Sequence, residues 1–137
     1  MVSATDPIER LVTVYCIGDA NYECHALLRY ITDYPWVVTV VFNYGTPLAK
    51  AWQISRALLR DGQDVQVGSG DVQVWSHNDT LYFIRISRDG DTRLYQLPYQ
   101  PVAELLQCSY EEVPEAAEKE RVETDLEATL SKLLGKN

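Results

Sequence analysis

TPLAKAWQISRALLRDGQDVQVGSGDVQVW, running from Thr46 to Trp75, is the stretch whose reading decides the fold. Thr46 is a helix-capping residue type, and Pro47 suits a first helical position, where the missing N–H costs nothing. At about 100° per residue, Leu48, Ala51, Trp52, Ile54, Leu58 and Leu59 fall within an arc roughly 160° wide. Lys50, Gln53, Arg56 and Arg60 take the opposite side, and only Ser55 interrupts the apolar arc. Arg56 and Arg60 lie near the negative end of the helix dipole, and Gly62 offers a left-handed stop. The pattern predicts a central helix across a sheet, with Trp52 as a core anchor. Val65–Val67 then reads as a short extended piece, Gly68-Ser69-Gly70 as a turn, and Val72–Trp75 as a strand.

Upstream, Met1–Asp6 is a lead-in, and Ile8–Ile17 is a run of β-formers whose two faces are both expected to be covered. Gly18-Asp19-Ala20-Asn21 is a turn. Tyr22–Tyr30 alternates Tyr22, Cys24, Ala26, Leu28 and Tyr30 against Glu23, His25, Leu27 and Arg29, which predicts one inward and one mostly wet face. After Asp33-Tyr34-Pro35, the valine-rich run Trp36–Phe42 predicts a third, buried strand.

Downstream, Ser76–Asp79 reads as a polar loop, and Leu81–Ser87 and Thr92–Leu97 as strands joined by the Asp89-Gly90 hairpin turn. Pro98 and Pro101 end the second of these, and Val102–Gln107 predicts a short helix with Val102, Leu105 and Leu106 facing inward. Residues 111–123 are dense in glutamate, contain Pro114 and read as an acidic linker. Thr124 and Glu127 form a capping box opening a terminal helix over residues 124–134, with Leu126, Leu130, Leu133 and Leu134 as its seam and Gly135 as its stop. Strands joined mainly by hairpins make the class α+β, with mostly antiparallel sheets, a central helix and a C-terminal helix, in one domain spanning residues 1–137.

The composition narrows the function. Twenty acidic against twelve basic side chains give a net charge of −8, which opposes a broad phosphate-binding surface. Three cysteines without Cys-x-x-Cys spacing fit reduced thiols in a cytoplasm. No apolar run reaches the roughly 20 residues of a membrane span, and Met1–Arg10 carries no signal-peptide pattern, so no membrane insertion is expected. Gly68-Ser69-Gly70 leads into a strand rather than a helix, so it reads as a turn and not as a phosphate loop. Cys24 and His25 are strand neighbours on opposite faces and cannot pair. His77 and Cys108 are far from them in sequence, and no ligand spacing for a metal is present. Asp71, beside the glycine turn, is expected to bond turn backbone N–H groups. Nine tyrosines and three tryptophans can stack bases, fill a core or line a protein interface, and the negative charge favours the last two. Composition and spacing therefore reach a domain without visible catalytic machinery, cofactor or metal, built to bind another protein. A small hydrolase using Cys24, Cys108 or a carboxylate has no support in the spacing.

AWQISRALLRDG followed by GSGDVQVW resembles the central signature of the SsgA-like sporulation and cell-division proteins of actinobacteria, the SALP family. The resemblance falls on Trp52, Ser55, Arg56, Leu58, Leu59, Gly62, Gly68, Gly70, Asp71, Val72, Val74 and Trp75, as residues of structural importance. It extends upstream through LLRYITDYPWVVTVVF and downstream to TDLEATLSKLL. This chain departs from the family pattern in reading Asp33-Tyr34-Pro35-Trp36, where Asp-Pro-Tyr is usual, and Ser76 in place of a proline. The resemblance implies a fold similar to the Whirly single-stranded-DNA-binding proteins, a homotrimer, and a cytoplasmic protein recruited to the division septum. It also implies a non-enzymatic adaptor in sporulation-specific septation, whose partners include cell-division proteins such as the tubulin-like FtsZ. The partner-binding residues are not implied. A single-stranded nucleic-acid-binding module is the alternative that fold analogy supplies.

Overall fold

Hairpin after hairpin, the chain lays down one seven-stranded antiparallel sheet; the computed structural model describes residues 6–18, 21–68 and 70–133. The strands are β1 (Ile8–Ile17), β2 (Tyr22–Tyr30), β3 (Val37–Phe42), β4 (Lys50–Ser55), β5 (Val72–His77), β6 (Leu81–Arg88) and β7 (Asp91–Pro98), in the order β4-β3-β2-β1-β7-β6-β5. Helices α1 (Arg56–Asp61), α2 (Tyr99–Glu112) and α3 (Glu115–Leu133) complete the α+β fold. The sheet is strongly curled. Phe42 on β3 and Tyr95 on β7 are separated by two strands, yet their rings stack 3.7 Å apart across the concave side.

Alternation puts one face of every strand into that concavity: Val12, Val14 and Cys16; Ala26, Leu28 and Tyr30; Val38, Val40 and Phe42; Tyr82, Ile84 and Ile86. Helix α2 fills it with Val102, Leu105 and Leu106, and α1 adds Leu59. The opposite face of β1 stays open, contrary to the expectation that both faces are covered: Leu11 and Tyr15 are 60% and 50% exposed. The hairpin turn at Asp89-Gly90 forms as predicted, with both residues at positive φ (53° and 79°).

The central helix does not span the predicted stretch. Only Arg56–Asp61 is helical, while Lys50–Ser55 pairs in register with β3, Val38 against Ile54 and Val40 against Trp52. Trp52 and Ile54 stand two residues apart, a spacing that satisfies a strand as well as a helical arc. The other members of the arc divide, since Leu48 is 77% exposed whereas Leu59 is buried. Without β4, the outer edge of the valine-rich β3 would be left unpaired, and that tertiary demand overrides the local period. Ser55, the interruption of the arc, is the true N-cap: its Oγ accepts from the Leu58 amide at 3.2 Å. Thr46 instead shapes a turn, accepting from Leu48 N at 3.1 Å and donating to Asn43 O at 2.8 Å.

The C-terminal expectations shift similarly. Residues 111–123 are helical apart from a break at Val113-Pro114, and Thr124 is a helix-interior residue whose hydroxyl donates to Glu120 O at 3.0 Å rather than a cap. Pro114 ends α2 and starts α3, and Glu115 and Glu118 in the first turn of α3 complement the positive end of its dipole. Leu126, Leu130 and Leu133 are exposed, and Leu134 and Gly135 lie outside the described residues.

Three tyrosines are buried in the core. The Tyr30 hydroxyl donates to Pro35 O at 3.1 Å and that of Tyr82 to Leu59 O at 2.7 Å. Burial pushes the Tyr30 and Tyr95 hydroxyls from their ordinary 10 up to about 12, and raises Tyr82 as well. An unfolded tyrosine ionises near 10, so the stability these neutral phenols support is complete below that pH. It is lost as the pH climbs towards about 12. The melting temperature is therefore expected to hold steady up to about pH 10 and then fall; a midpoint that is flat through that window would contradict buried phenols.

Candidate functional site

Two clusters gather the motif residues: a buried arginine beneath α2 and α3, and an open cleft at one end of the curled sheet. Arg56 opens α1, its amide bonded to Trp36 O at 2.9 Å, and its side chain is 0% exposed. This reverses the expectation of a solvent-facing position. The guanidinium donates to Glu118 Oε1 from Nε at 3.0 Å and from Nη2 at 2.6 Å. Its Nη1 serves Tyr30 Oη at 3.1 Å, Ser109 O at 3.0 Å and Val113 O at 2.8 Å. It also lies 3.8 Å from the centroid of the Tyr110 ring. Ser109 and Val113 sit at the C-terminal end of α2, where a cation meets unsatisfied carbonyls and the negative end of the dipole. One turn on, Arg60 donates to Glu115 at 2.9 Å and holds that carboxyl below its usual range. The two arginines clamp the α2–α3 corner to the sheet. This is structural chemistry.

The other motif residues are also accounted for by packing. Leu58 packs half-buried against the core, while Leu59 and Val74 are fully buried. Gly62 is right-handed (φ −64°) and not a left-handed stop; a Cβ there would come within 2.6 Å of both Tyr82 Oη and Val74 Cγ2. Gly68 and Gly70 have φ of +113° and +82°. The Asp71 carboxylate faces Arg88 at 3.7 Å, with no bond to a turn amide among the described residues, and its carbonyl accepts from Ser87 N at 2.8 Å. Trp75 lies on the outer face, stacked on Phe83 at 5.3 Å with Arg85 over its ring.

Trp52 is half-buried: it packs against the core and also lines the cleft, so it is not the fully enclosed anchor the sequence predicts. The cleft, of about 420 Å³, lies between the Leu48–Trp52 segment and the end of the β6–β7 hairpin, and the Phe42 and Tyr95 rings line it as well. The Arg88 guanidinium sits 4.5 Å over the Trp52 ring, a cation–π contact across the gap between β4 and β6. Lys50 and Arg93 add two more cations; Arg93 is paired with Asp91 at 3.2 Å. Arg88 and Arg93 come from a hairpin far from Trp52 in sequence, which is why the motif announces only Trp52 among these residues.

Among the described residues, reactive groups are not assembled. Burial raises the Cys24 thiol, the opposite of an activated nucleophile, and His25 stands on the other face of β2. Among the described residues no group of three or more His, Cys, Asp or Glu could hold a metal ion, and no helix is long and apolar enough to cross a membrane.

The profile of the family described as SsgA, Streptomyces sporulation and cell division protein, matches residues 24–118. The sporulation-specific cell division protein SsgB of Streptomyces coelicolor is 30% identical over 123 residues, spanning 88% of each chain. SsgB of Frankia casuarinae is 28% identical over 116 residues, covering 82% of this chain and 81% of that one. The crystal structure of an SsgA-like sporulation-specific cell division protein from Thermobifida fusca superposes with a TM-score of 0.77 at 27% identity, over 94% of this chain and 98% of that chain. A structure from work on SsgB mutations and longitudinal cell division in S. coelicolor shares the fold, with a TM-score of 0.75 at 24% identity over 88% and 98% of the two chains. With the profile covering the Trp52–Trp75 signature and the relatives spanning most of the chain, this protein belongs to the SsgA family of sporulation and cell division proteins.

Proposed function

We propose that this chain acts in sporulation-specific cell division as a non-enzymatic, self-associating adaptor that helps to place or recruit the septation machinery, FtsZ or a protein bound to it. The observation that carries the proposal is the outer face of the sheet. The register aligns Leu11 with Leu27, Leu27 with Val41 and Val41 with Ala51, an apolar row across four strands. A second row runs through Tyr15, Gln96, Phe83 and Trp75. Leu11, Tyr15 and Ile17 stand 60%, 50% and 37% exposed within this surface. Apolar patches beyond a few hundred Å² are uncommon on monomers, and another subunit is the simplest cover. We assign a trimer from the family resemblance; three copies would offer a filament three identical contacts and gain avidity over one weak site. Nucleic acid is left out because 20 acidic side chains oppose 12 basic ones.

Light scattering coupled to size exclusion is expected to give three times the 15.6 kDa of one chain, with Leu11→Glu/Tyr15→Glu shifting the mass to that of one chain. A wild-type monomer at micromolar concentration would remove the assembly. Co-sedimentation with polymerising FtsZ no greater than that of an unrelated acidic protein would remove direct contact with it.

A further inference from the structure

We propose that the open edge of β4 docks an extended, acidic segment of a partner protein, which adds to the sheet as a strand and places an apolar side chain in the cleft beside Trp52. The sheet has two outermost strands, and they are treated differently. Along β5, Val67 pairs with Val74 through amide–carbonyl bonds of 3.0 and 2.9 Å, so part of that edge is covered. Strand β4 is paired with β3 alone, from Val37↔Ser55 to Phe42↔Lys50. Among the described residues, no backbone bond from beyond that ladder reaches Lys50–Ile54. An exposed edge of this kind is a template for another strand, and main-chain bonds along it are something a peptide can match and a nucleic acid cannot.

The chemistry beside the edge selects the peptide. Lys50 and Trp52 project from β4 into the cleft, and Leu48, just before the strand, is 77% exposed. An incoming apolar side chain thus meets Trp52 and Leu48, in a cleft lined by the cations Lys50, Arg88 and Arg93 and by the carboxylates Asp89 and Asp91, of which Asp91 is taken by Arg93. Lys50 has no ion pair with any described residue, and the nearest carboxylate to Arg88, that of Asp71, is 3.7 Å away with both side chains more than half exposed. Partner carboxylates can therefore engage Lys50 and Arg88 without breaking a buried pair. The chain as a whole carries −8, so an acidic segment is repelled elsewhere and oriented here. Two features two residues apart, and so on one face of the incoming strand, follow for the partner: an apolar residue opposite Trp52 and a carboxylate opposite Lys50. The inference rests on the adaptor reading only for the setting of the partner, since Lys50 and Trp52 face the cleft, on the side of β4 opposite to Ala51 and the outer face assigned to self-association.

The probe is a labelled octapeptide, Thr-Asp-Thr-Ile-Thr-Asp-Thr-Thr, which carries its isoleucine and aspartates on one face, added to the isotope-labelled full chain. Chemical-shift changes are expected at the amides of Lys50–Ser55 and at the Trp52 indole, with affinity that weakens as salt is added. Lys50→Glu/Arg88→Glu is expected to weaken binding at least ten-fold while leaving the self-association mass unchanged. N-methylating alternate peptide residues should abolish binding in one register and spare it in the other, the signature of a strand ladder. Absence of shifts at β4 with millimolar peptide would overturn the proposal. So would equal binding by a lysine-for-aspartate peptide, equal tolerance of both methylation registers, or displacement by a thymidine oligonucleotide. Loss of peptide binding with an intact assembly mass sinks the docking strand alone; a monomeric mass with peptide bound sinks the assembly alone.

Discussion

Arg56→Ala is expected to destabilise the fold by about 3–5 kcal/mol, the scale of removing one partner from a buried ion pair. Arg56 is wholly buried, and four acceptors depend on it: the Glu118 carboxylate, the Tyr30 hydroxyl and the Ser109 and Val113 carbonyls. Truncation leaves Glu118, whose side chain is only 16% exposed, beside the negative end of α2 with no cation. It also empties the space against the Tyr110 ring. Arg56→Lys rescues little, because an ammonium cannot reproduce the planar fork that serves Glu118 from two nitrogens at once. Replacing both partners, as in Arg56→Met/Glu118→Leu, is expected to cost less than Arg56→Ala alone, since no charge is then stranded. Denaturant midpoints of the three variants decide it. A value for Arg56→Ala within about 0.5 kcal/mol of wild type would put the guanidinium in solvent.

That arginine marks where the sequence stops being legible. Charge and the helical wheel both send Arg56 outward, and nothing local shows that Glu118, sixty-two residues later, returns to meet it. Strands β1, β2 and β3 and the Asp89-Gly90 hairpin are readable because period-two alternation and a positive-φ turn are properties of adjacent residues. Strand β4 is not, because Trp52 and Ile54 fit both periods and the demand that decides between them comes from β3. The acidic stretch fails for a related reason. Its lack of an apolar stripe reads as a linker, yet α3 needs little burial: Arg60 pairs with Glu115, Arg56 with Glu118, and Arg121 donates to Thr32 O and Asp33 O at 3.3 and 3.0 Å. Polar anchors position it.

The cleft was outside the reach of motif reasoning altogether. Trp52 belongs to the signature, but Arg88 and Arg93 flank a hairpin that reads only as a turn, and the curl of the sheet brings them together. The family signature thus combines residues that build the scaffold, such as Arg56 and Leu59, with one, Trp52, that also lines the cleft. The scaffold residues carry most of the sequence pattern, and the cleft takes from it only Trp52.

The glycine pair gives the sharpest separation of pattern from geometry. Gly68 and Gly70 look equivalent in sequence, and both have positive φ, +113° and +82°. A Cβ on Gly70 meets nothing within 4 Å, whereas one on Gly68 would collide with the Val72 carbonyl oxygen and come within 2.9 Å of Gln73 Cα. Both obstacles are backbone, so no rotamer change relieves them. Gly70→Ala is therefore expected to cost about 1–2 kcal/mol, the left-handed penalty of a single residue. Gly68→Ala adds the clash to a less accessible φ, for a total of about 2–5 kcal/mol. The damage should be local first, because Gly68 allows Val67 to return and pair with Val74 along β5. Hydrogen exchange at the Val67 and Val74 amides is then expected to rise in Gly68→Ala before global unfolding does, with β1 and β2 still protected. Equal midpoints for the two variants would mean that the turn has slack at Gly68 that this packing does not contain.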